Sequence, residues 1–204
     1  MNTTTRSTGR SLWVAIRALL MFTVVLGVGY TLLITAVGQL ALPAQANGSL
    51  IRDDDGDIVG SSLIGQNFTD ADGAPLPQYF QPRPSAAGDG YDGGASSGSN
   101  WGPENEDLIA AITERKAQIA EFNGVSPDEI PADAVTASSS GLDPHISPAY
   151  ALLQVDRVAA ARGLSAEQVR QAVDDNTTGP DLGYLGEPVV NVVELNLDLD
   201  RMDG

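Results

Sequence analysis

The 204 residues leave room for one membrane-crossing helix and one domain of ordinary size, with 42% hydrophobic residues to fill a core. There is no cysteine and a single histidine, which excludes disulfides, thiol nucleophiles and multi-histidine metal clusters. Three of the 11 basic residues, Arg6, Arg10 and Arg17, come first; the rest sets 8 basic against 27 acidic residues, a net of −19 that excludes a general nucleic-acid-binding surface.

From Ala18 to Ile51 no charged residue occurs, and the part up to Leu42 is mostly Leu, Val, Ile, Ala and Gly. At a rise of about 1.5 Å per residue, this run can cross the roughly 30 Å hydrocarbon layer with some tilt. The sequence therefore predicts a basic cytoplasmic tail over 1–11, a transmembrane helix over 12–42 and an acidic extracytoplasmic domain over 43–204. The three arginines set the orientation, because basic flanks stay inside. A cleaved signal peptide competes with this reading, since Ala44-Gln45-Ala46 after Pro43 resembles a cleavage site. The apolar run exceeds the roughly 7–15 residues of a secretory h-region, which favours a retained anchor. Thr23, Gly27, Thr31, Thr35 and Gln39 recur every four residues and make a stripe of small and polar side chains. Such a stripe suits close packing of a second membrane helix, though glycine and threonine are also tolerated in membrane helices generally.

Beyond the helix the pattern predicts a mixed α+β domain. Leu50–Arg52 and Ile58–Gly60 read as short strands around an acidic turn, Asp53-Asp54-Asp55-Gly56-Asp57. A calcium loop is the sharper alternative, but Ile51 stands where its first carboxylate belongs and the bidentate Glu is missing. Residues 65–103 carry Gly, Pro, Ser and Asn without a helical period. Phe68, Tyr79, Phe80, Tyr91 and Trp101 punctuate this stretch, which predicts that it packs against something.

Three helices are expected next. Asn105 caps the first, which runs to Phe122 with Leu108, Ile112, Ile119 and Phe122 inward and stops at Asn123-Gly124. Ser147-Pro148 opens the second, with Leu152, Val155 and Ala159 inward and Gly163 as its end. Ser165-Ala166-Glu167-Gln168 is a capping box for the third, with Val169, Ala172 and Val173 inside. Val189 to Leu199 alternates and reads as a strand with a bulge near Val193-Glu194.

Two short motifs invite enzymatic readings. Gly88-Asp89-Gly90-Tyr91-Asp92-Gly93 fits G-x-G-x-x-G, but neither the strand nor the helix that a dinucleotide site needs flanks it. Gly94-Ala95-Ser96-Ser97-Gly98 fits G-x-S-x-G, again without a preceding strand, and the base would have to be His145. No Walker A sequence is present. The densest polar stretch, Asp133 to Pro148, reads as a turn-rich approach to a helix N-terminus capped by Ser147. Such a terminus could bind an ion or ligand, but the more economical role for His145 is to tie loop backbone together.

Several blocks resemble the C subunit of the Kdp-type potassium-transporting P-type ATPase of bacteria. Tyr79-Phe80-Gln81-Pro82-Arg83-Pro84-Ser85-Ala86 is similar to that family's Y-F-x-x-R-P-S-A block, and Ser97-Gly98-Ser99-Asn100 with Gly102-Pro103 to its G-S-N-x-G-P block. Val135–Ser138 with Ser140–Ser147 resembles its V-T-A-S-x-S-G-L-D-P-H-I-S signature. Gln154-Val155, Arg157–Ala159, Ala161–Gly163, Val190–Val192 and Leu195-Asn196 continue the likeness. Ser139 stands where the family usually has glycine, so a positive φ there would be strained, and Trp101 replaces a smaller apolar residue. The resemblance implies a non-catalytic accessory subunit with no catalytic residue or metal site of its own. It marks Arg83, Ser85, Ser99, Asn100, Ser138, Asp143, His145, Ser147 and Gln154 as partner-facing or structural motif residues.

The implied partners are a potassium-channel-like subunit, a P-type ATP-hydrolysing subunit and a small single-helix subunit. The complex, not this chain alone, would handle ATP and potassium. The implied role is to support assembly and to raise the ATP affinity of the hydrolysing subunit as a chaperone-like factor. ATP is cytoplasmic and the acidic domain is expected outside, so that influence would have to pass through the membrane helix or the partners. An anchored or secreted adhesion module and a serine hydrolase are the competing classes.

Overall fold

The computed structural model describes residues 3–202. Met1 and Asn2 of the expected basic tail, and Asp203 and Gly204 of the acidic domain, lie outside the described residues. The chain divides into an N-terminal unit up to Ser49 and a C-terminal unit from Leu50.

The N-terminal unit is one long helical rod. Helix α1 (Thr3–Phe22) passes through a π-helical stretch (Thr23–Tyr30) into α2 (Thr31–Ala41), and the junction residues keep right-handed helical dihedrals. The stretch Thr8–Ala41 has a mean hydropathy of 2.2 and none of its apolar window is buried. Its leucines, isoleucines and valines stand bare along the rod, to 86% exposure at Leu40. Water disfavours that much apolar surface, and a bilayer does not. The helix is long and apolar enough to cross a membrane. Leu42 leaves the helix at φ −136°, as expected of a residue before proline, and Pro43 starts a single further turn, α3 (Pro43–Ala46).

The C-terminal unit opens with an antiparallel hairpin of β1 (Leu50–Arg52) and β2 (Ile58–Ser61), with a register shift at Ile51/Arg52. The aspartates between them make a turn. The Asp53 carboxylate accepts the Asp57 N–H at 2.8 Å, and Gly56 supplies a φ of +87°. Then come the long irregular stretch, α4 (Glu106–Asn123), α5 (Ala132–Val135), β3 (His145–Ile146), α6 (Pro148–Arg162), α7 (Ala166–Asp175), β4 (Thr177–Thr178), β5 (Val189–Asn191) and α8 (Val192–Met202). The second sheet has the order β3-β5-β4, all antiparallel.

The helix ends follow the sequence closely. The Asn105 side chain accepts the Leu108 N–H, and Gly124 ends α4 at φ +68°. Ser147 caps α6 and Gly163 ends it at φ +70°. Ser165 and Gln168 form the expected capping box of α7, which buries Val169, Ala172 and Val173.

Two expectations are corrected. The run 189–199 is not one strand: only Val189–Asn191 is extended, and a helix begins at Val192. The Asn191 carboxamide oxygen accepts the N–H groups of Val193 (3.1 Å) and Glu194 (3.3 Å), which is helix capping. Val192, Leu195 and Leu199 then fall on one buried helical face, a spacing that the alternation of Val and Leu had imitated. On α6, Leu152 is 48% exposed instead of inward; the face is turned so that Gln154, Val155 and Val158 are fully buried. The core also takes Phe80, Ile146, Tyr150, Val190 and the buried faces of α7 and α8.

Candidate functional site

The irregular stretch owes its shape to side chains from the helices. Residues 80–84, with two prolines, join no helix or sheet. Two buried amides supply the missing pairing. Asn196 on α8 accepts the Phe80 N–H at 2.8 Å and donates to the Phe80 carbonyl at 3.0 Å. Gln154 on α6 does the same for Gln81, at 2.7 and 3.1 Å. An amide side chain carries the donor and acceptor of a peptide, so each residue completes a strand-like pair without a strand.

Arg157 extends the grip. Its guanidinium donates to Asn123 (2.9 Å), to the carbonyls of Pro77 and Tyr79, and to Gln154 (2.6 Å), and it stacks 4.4 Å from the Phe122 ring. Burial lowers its pKa to about 10.

The clamp delivers Arg83 to the loop 136–145. Its Nη1 meets Asp143 Oδ2 at 3.2 Å, and Nε and Nη2 donate to the Thr136 carbonyl. Asp143 Oδ1 accepts both the backbone N–H and Nδ1 of His145, each at 3.0 Å. Burial alone would raise the Asp143 pKa. The hydrogen bonds from His145, with its charge and that of Arg83, outweigh burial and hold the carboxyl below its ordinary value. Ser85 donates to the Gly141 carbonyl at 2.6 Å and accepts the N–H groups of Ala87 and Tyr91. The Tyr91 hydroxyl donates to the Arg83 carbonyl at 2.9 Å, and burial raises its pKa. Ser138 accepts the Gly141 N–H at 2.9 Å. Gly141 sits at φ +68°, where an added Cβ would come within 2.6 Å of the Ser97 carbonyl, so the loops can meet only at glycine. Among the described residues this loop's positive φ falls on Gly141, not on Ser139, so the strain feared at Ser139 does not arise.

Arg83, Asp143 and His145 form the wall between two open pockets. One, of about 640 Å³, is bounded also by Leu63, Ile64 and Ser138–Ser140; the other, of about 320 Å³, by Asp133, Ser147 and Glu187. The polar groups of the wall bond to one another and to backbone. Ser96, the serine of the G-x-S-x-G match, donates to the Ser140 carbonyl at 3.0 Å. Ser147 donates its hydroxyl to Asp133 at 2.8 Å while capping α6. This chemistry locks loops in one shape and presents them as a surface.

A family described as KdpC, K+-transporting ATPase, c chain, matches residues 12–201. The chain belongs to the KdpC family. It is 52% identical to the potassium-transporting ATPase KdpC subunit of Mycobacterium tuberculosis over 194 residues, covering 95% of this chain and 99% of that one. The subunit of the same name from Kineococcus radiotolerans is 55% identical over 181 residues, covering 89% of this chain and 88% of that one. The one from Caulobacter vibrioides is 56% identical over 181 residues, covering 88% and 87%. A KdpC chain is an accessory subunit of the potassium-transporting ATPase, not the catalytic one.

Within this KdpC fold, Arg83, Ser85, Ser138, Asp143 and His145 come together, and Ser147, bonded to Asp133, lines one of the same pockets. Gln154, fully buried, holds the backbone of Gln81, two residues before Arg83. Ser99 and Asn100 stand apart on the exposed loop, Asn100 bonding its neighbour Gly98. In the apolar helix, Thr31 donates to the Gly27 carbonyl at 2.9 Å and Gln39 pairs with Asn47. Thr23 and Gly27 lie in the π-helical stretch, and Thr31, Thr35 and Gln39 in α2. Gln81, Asp133, Arg157 and Asn196 had not been singled out for their roles here. Asn196 was visible as a polar residue within a run of leucines, a signal for a buried amide.

Proposed function

We propose that this chain is the non-catalytic C subunit of a high-affinity, ATP-driven potassium uptake pump in the bacterial plasma membrane. One helix spans the bilayer, the N-terminus faces the cytoplasm, and the acidic domain lies outside. Its partners are the potassium-channel-like subunit, the P-type ATP-hydrolysing subunit and the small single-helix subunit. The observation that carries this reading is the family match over 12–201, which runs through both the apolar helix and the acidic domain. That continuity supports a retained anchor over a cleaved leader. The bonds that tie Thr136, Ser138, Asp143 and Ser147 to neighbouring groups support a contact role over a chemical one.

In this role the chain supports assembly and, as a chaperone-like factor, raises the ATP affinity of the hydrolysing subunit. The effect travels as a coupling free energy through the membrane helix or the partners. The acidic exterior, at −19 beyond the first arginines, favours potassium near the pump. Purification of the tagged chain in mild detergent tests the core of the proposal: a P-type ATPase and a multi-span subunit should come with it. ATPase assays of the complex with and without the chain test the rest. The KM for ATP should be lower with the chain present, and equal values would remove the chaperone role.

A further inference from the structure

Among the described residues, the non-glycine positions at positive φ are Ser49, Tyr91, Asn100 and Leu182. Tyr91 earns its conformation through the bond to Arg83. Leu182, at φ +54°, is held there by a backbone turn, in which the Gly183 N–H donates to the Pro180 carbonyl at 3.0 Å, yet a bulky residue in that conformation is an outlier. It stands at the tip of the segment from Pro180 to Pro188 that links β4 to β5. The tip closes on itself: Asp181 and Leu185 exchange both backbone hydrogen bonds at 2.9 Å, and Gly183 follows at φ +81°. The side chains point away from the core, with Leu182 82%, Tyr184 74% and Leu185 51% exposed. The fold thus holds a strained turn in place and displays three large apolar groups on it.

Charge narrows what covers them. No basic residue occurs between Arg170 and Arg201, whereas Asp174, Asp175, Asp181 and Glu187 flank the tip. Anionic lipid headgroups and a second copy of this chain would both be repelled. We propose that Leu182, Tyr184 and Leu185 form a plug that seats in an apolar pocket, rimmed by basic side chains, on another subunit of the same pump. This rests on the subunit reading above. The turn is shaped before binding, so little ordering cost opposes association, and an aromatic flanked by leucines provides a central anchor.

The test uses the full chain co-expressed with the pump subunits. Leu182→Gly suits the positive φ, so the melting temperature of the chain in detergent should stay the same or rise. Combined with Tyr184→Ala, it should cut co-purification with the pump subunits by about tenfold or more. Wild-type recovery of the double variant would overturn the plug. A photo-crosslinker at position 182 of the otherwise unaltered chain gives a second readout independent of folding. Crosslinks to another pump subunit support the proposal; crosslinks to lipid, to a second copy or to nothing overturn it. If the unaltered chain brings down no pump subunit, the functional reading itself fails. If it does so with no dependence on the tip, only the plug falls.

Discussion

The segment from Tyr79 to Tyr91 and the segment from Pro180 to Pro188 are both irregular, and both carry prolines and glycines. They are held in opposite ways. The first is gripped from outside, by Gln154, Asn196, Arg157 and the 136–143 loop, with Ser85 and Tyr91 adding bonds within it. The second is closed by its own backbone and turns its apolar side chains outward. The first therefore belongs to the stability of the fold, and the second can change without touching it. Irregular backbone does not by itself mark a mobile or expendable region; what satisfies its polar groups does.

Breaking the external grip should produce the largest effects. Gln154→Ala or Asn196→Ala leaves a buried peptide N–H and carbonyl without partners and opens a cavity, so each should lower unfolding stability by about 2–4 kcal/mol. Chemical denaturation of the full chain in mild detergent measures this. The double variant should be non-additive, because the two amides hold adjacent residues.

Next in size is Asp143→Asn, which weakens the link to Arg83 and should cost about 1–3 kcal/mol at neutral pH. The fold depresses the Asp143 pKa, so its stabilisation is full above the unfolded carboxylate value and disappears as pH falls through the folded value. Melting curves of wild type and variant should accordingly converge in acid, and parallel curves would refute the assignment.

Asn191→Ala removes the cap of α8 and should cost about 1 kcal/mol. The smallest effect is expected at Leu152, where replacement by Ala should stay within about 0.5 kcal/mol because the side chain is 48% exposed. A core-sized loss there would mean that α6 is turned as its apolar pattern first suggested.

These residues also show how far the sequence could be read. Helix starts and stops were legible because caps are local chemistry: Asn105 with Gly124, Ser147 with Gly163, and Ser165 with Gln168 all fall where their residue types require. The face of α6 was misjudged at Leu152 because its buried set includes Gln154, and apolar spacing cannot announce a buried amide whose partner lies 73 residues away. The start of α8 was hidden by alternation, although Asn191 with Glu194 three residues on carried a capping signal. In the candidate site the motif residues were named from the family resemblance, but their convergence was not legible. The strands that help position them, such as His145–Ile146, are only two residues long, and their pairing with Val190 and Asn191 comes from tertiary packing alone.

The double amide grip has one further consequence. Gln154 and Asn196 are uncharged, and so are the peptide groups they hold. Mobile ions screen exposed charges over about 8 Å at physiological ionic strength, but neutral bonds at buried positions feel almost none of this. The field around the −19 surface must strengthen and weaken with the surrounding electrolyte. The fastening beneath it is far less sensitive to that electrolyte, so Phe80 and Gln81 stay held while the charges around them are dressed or bared.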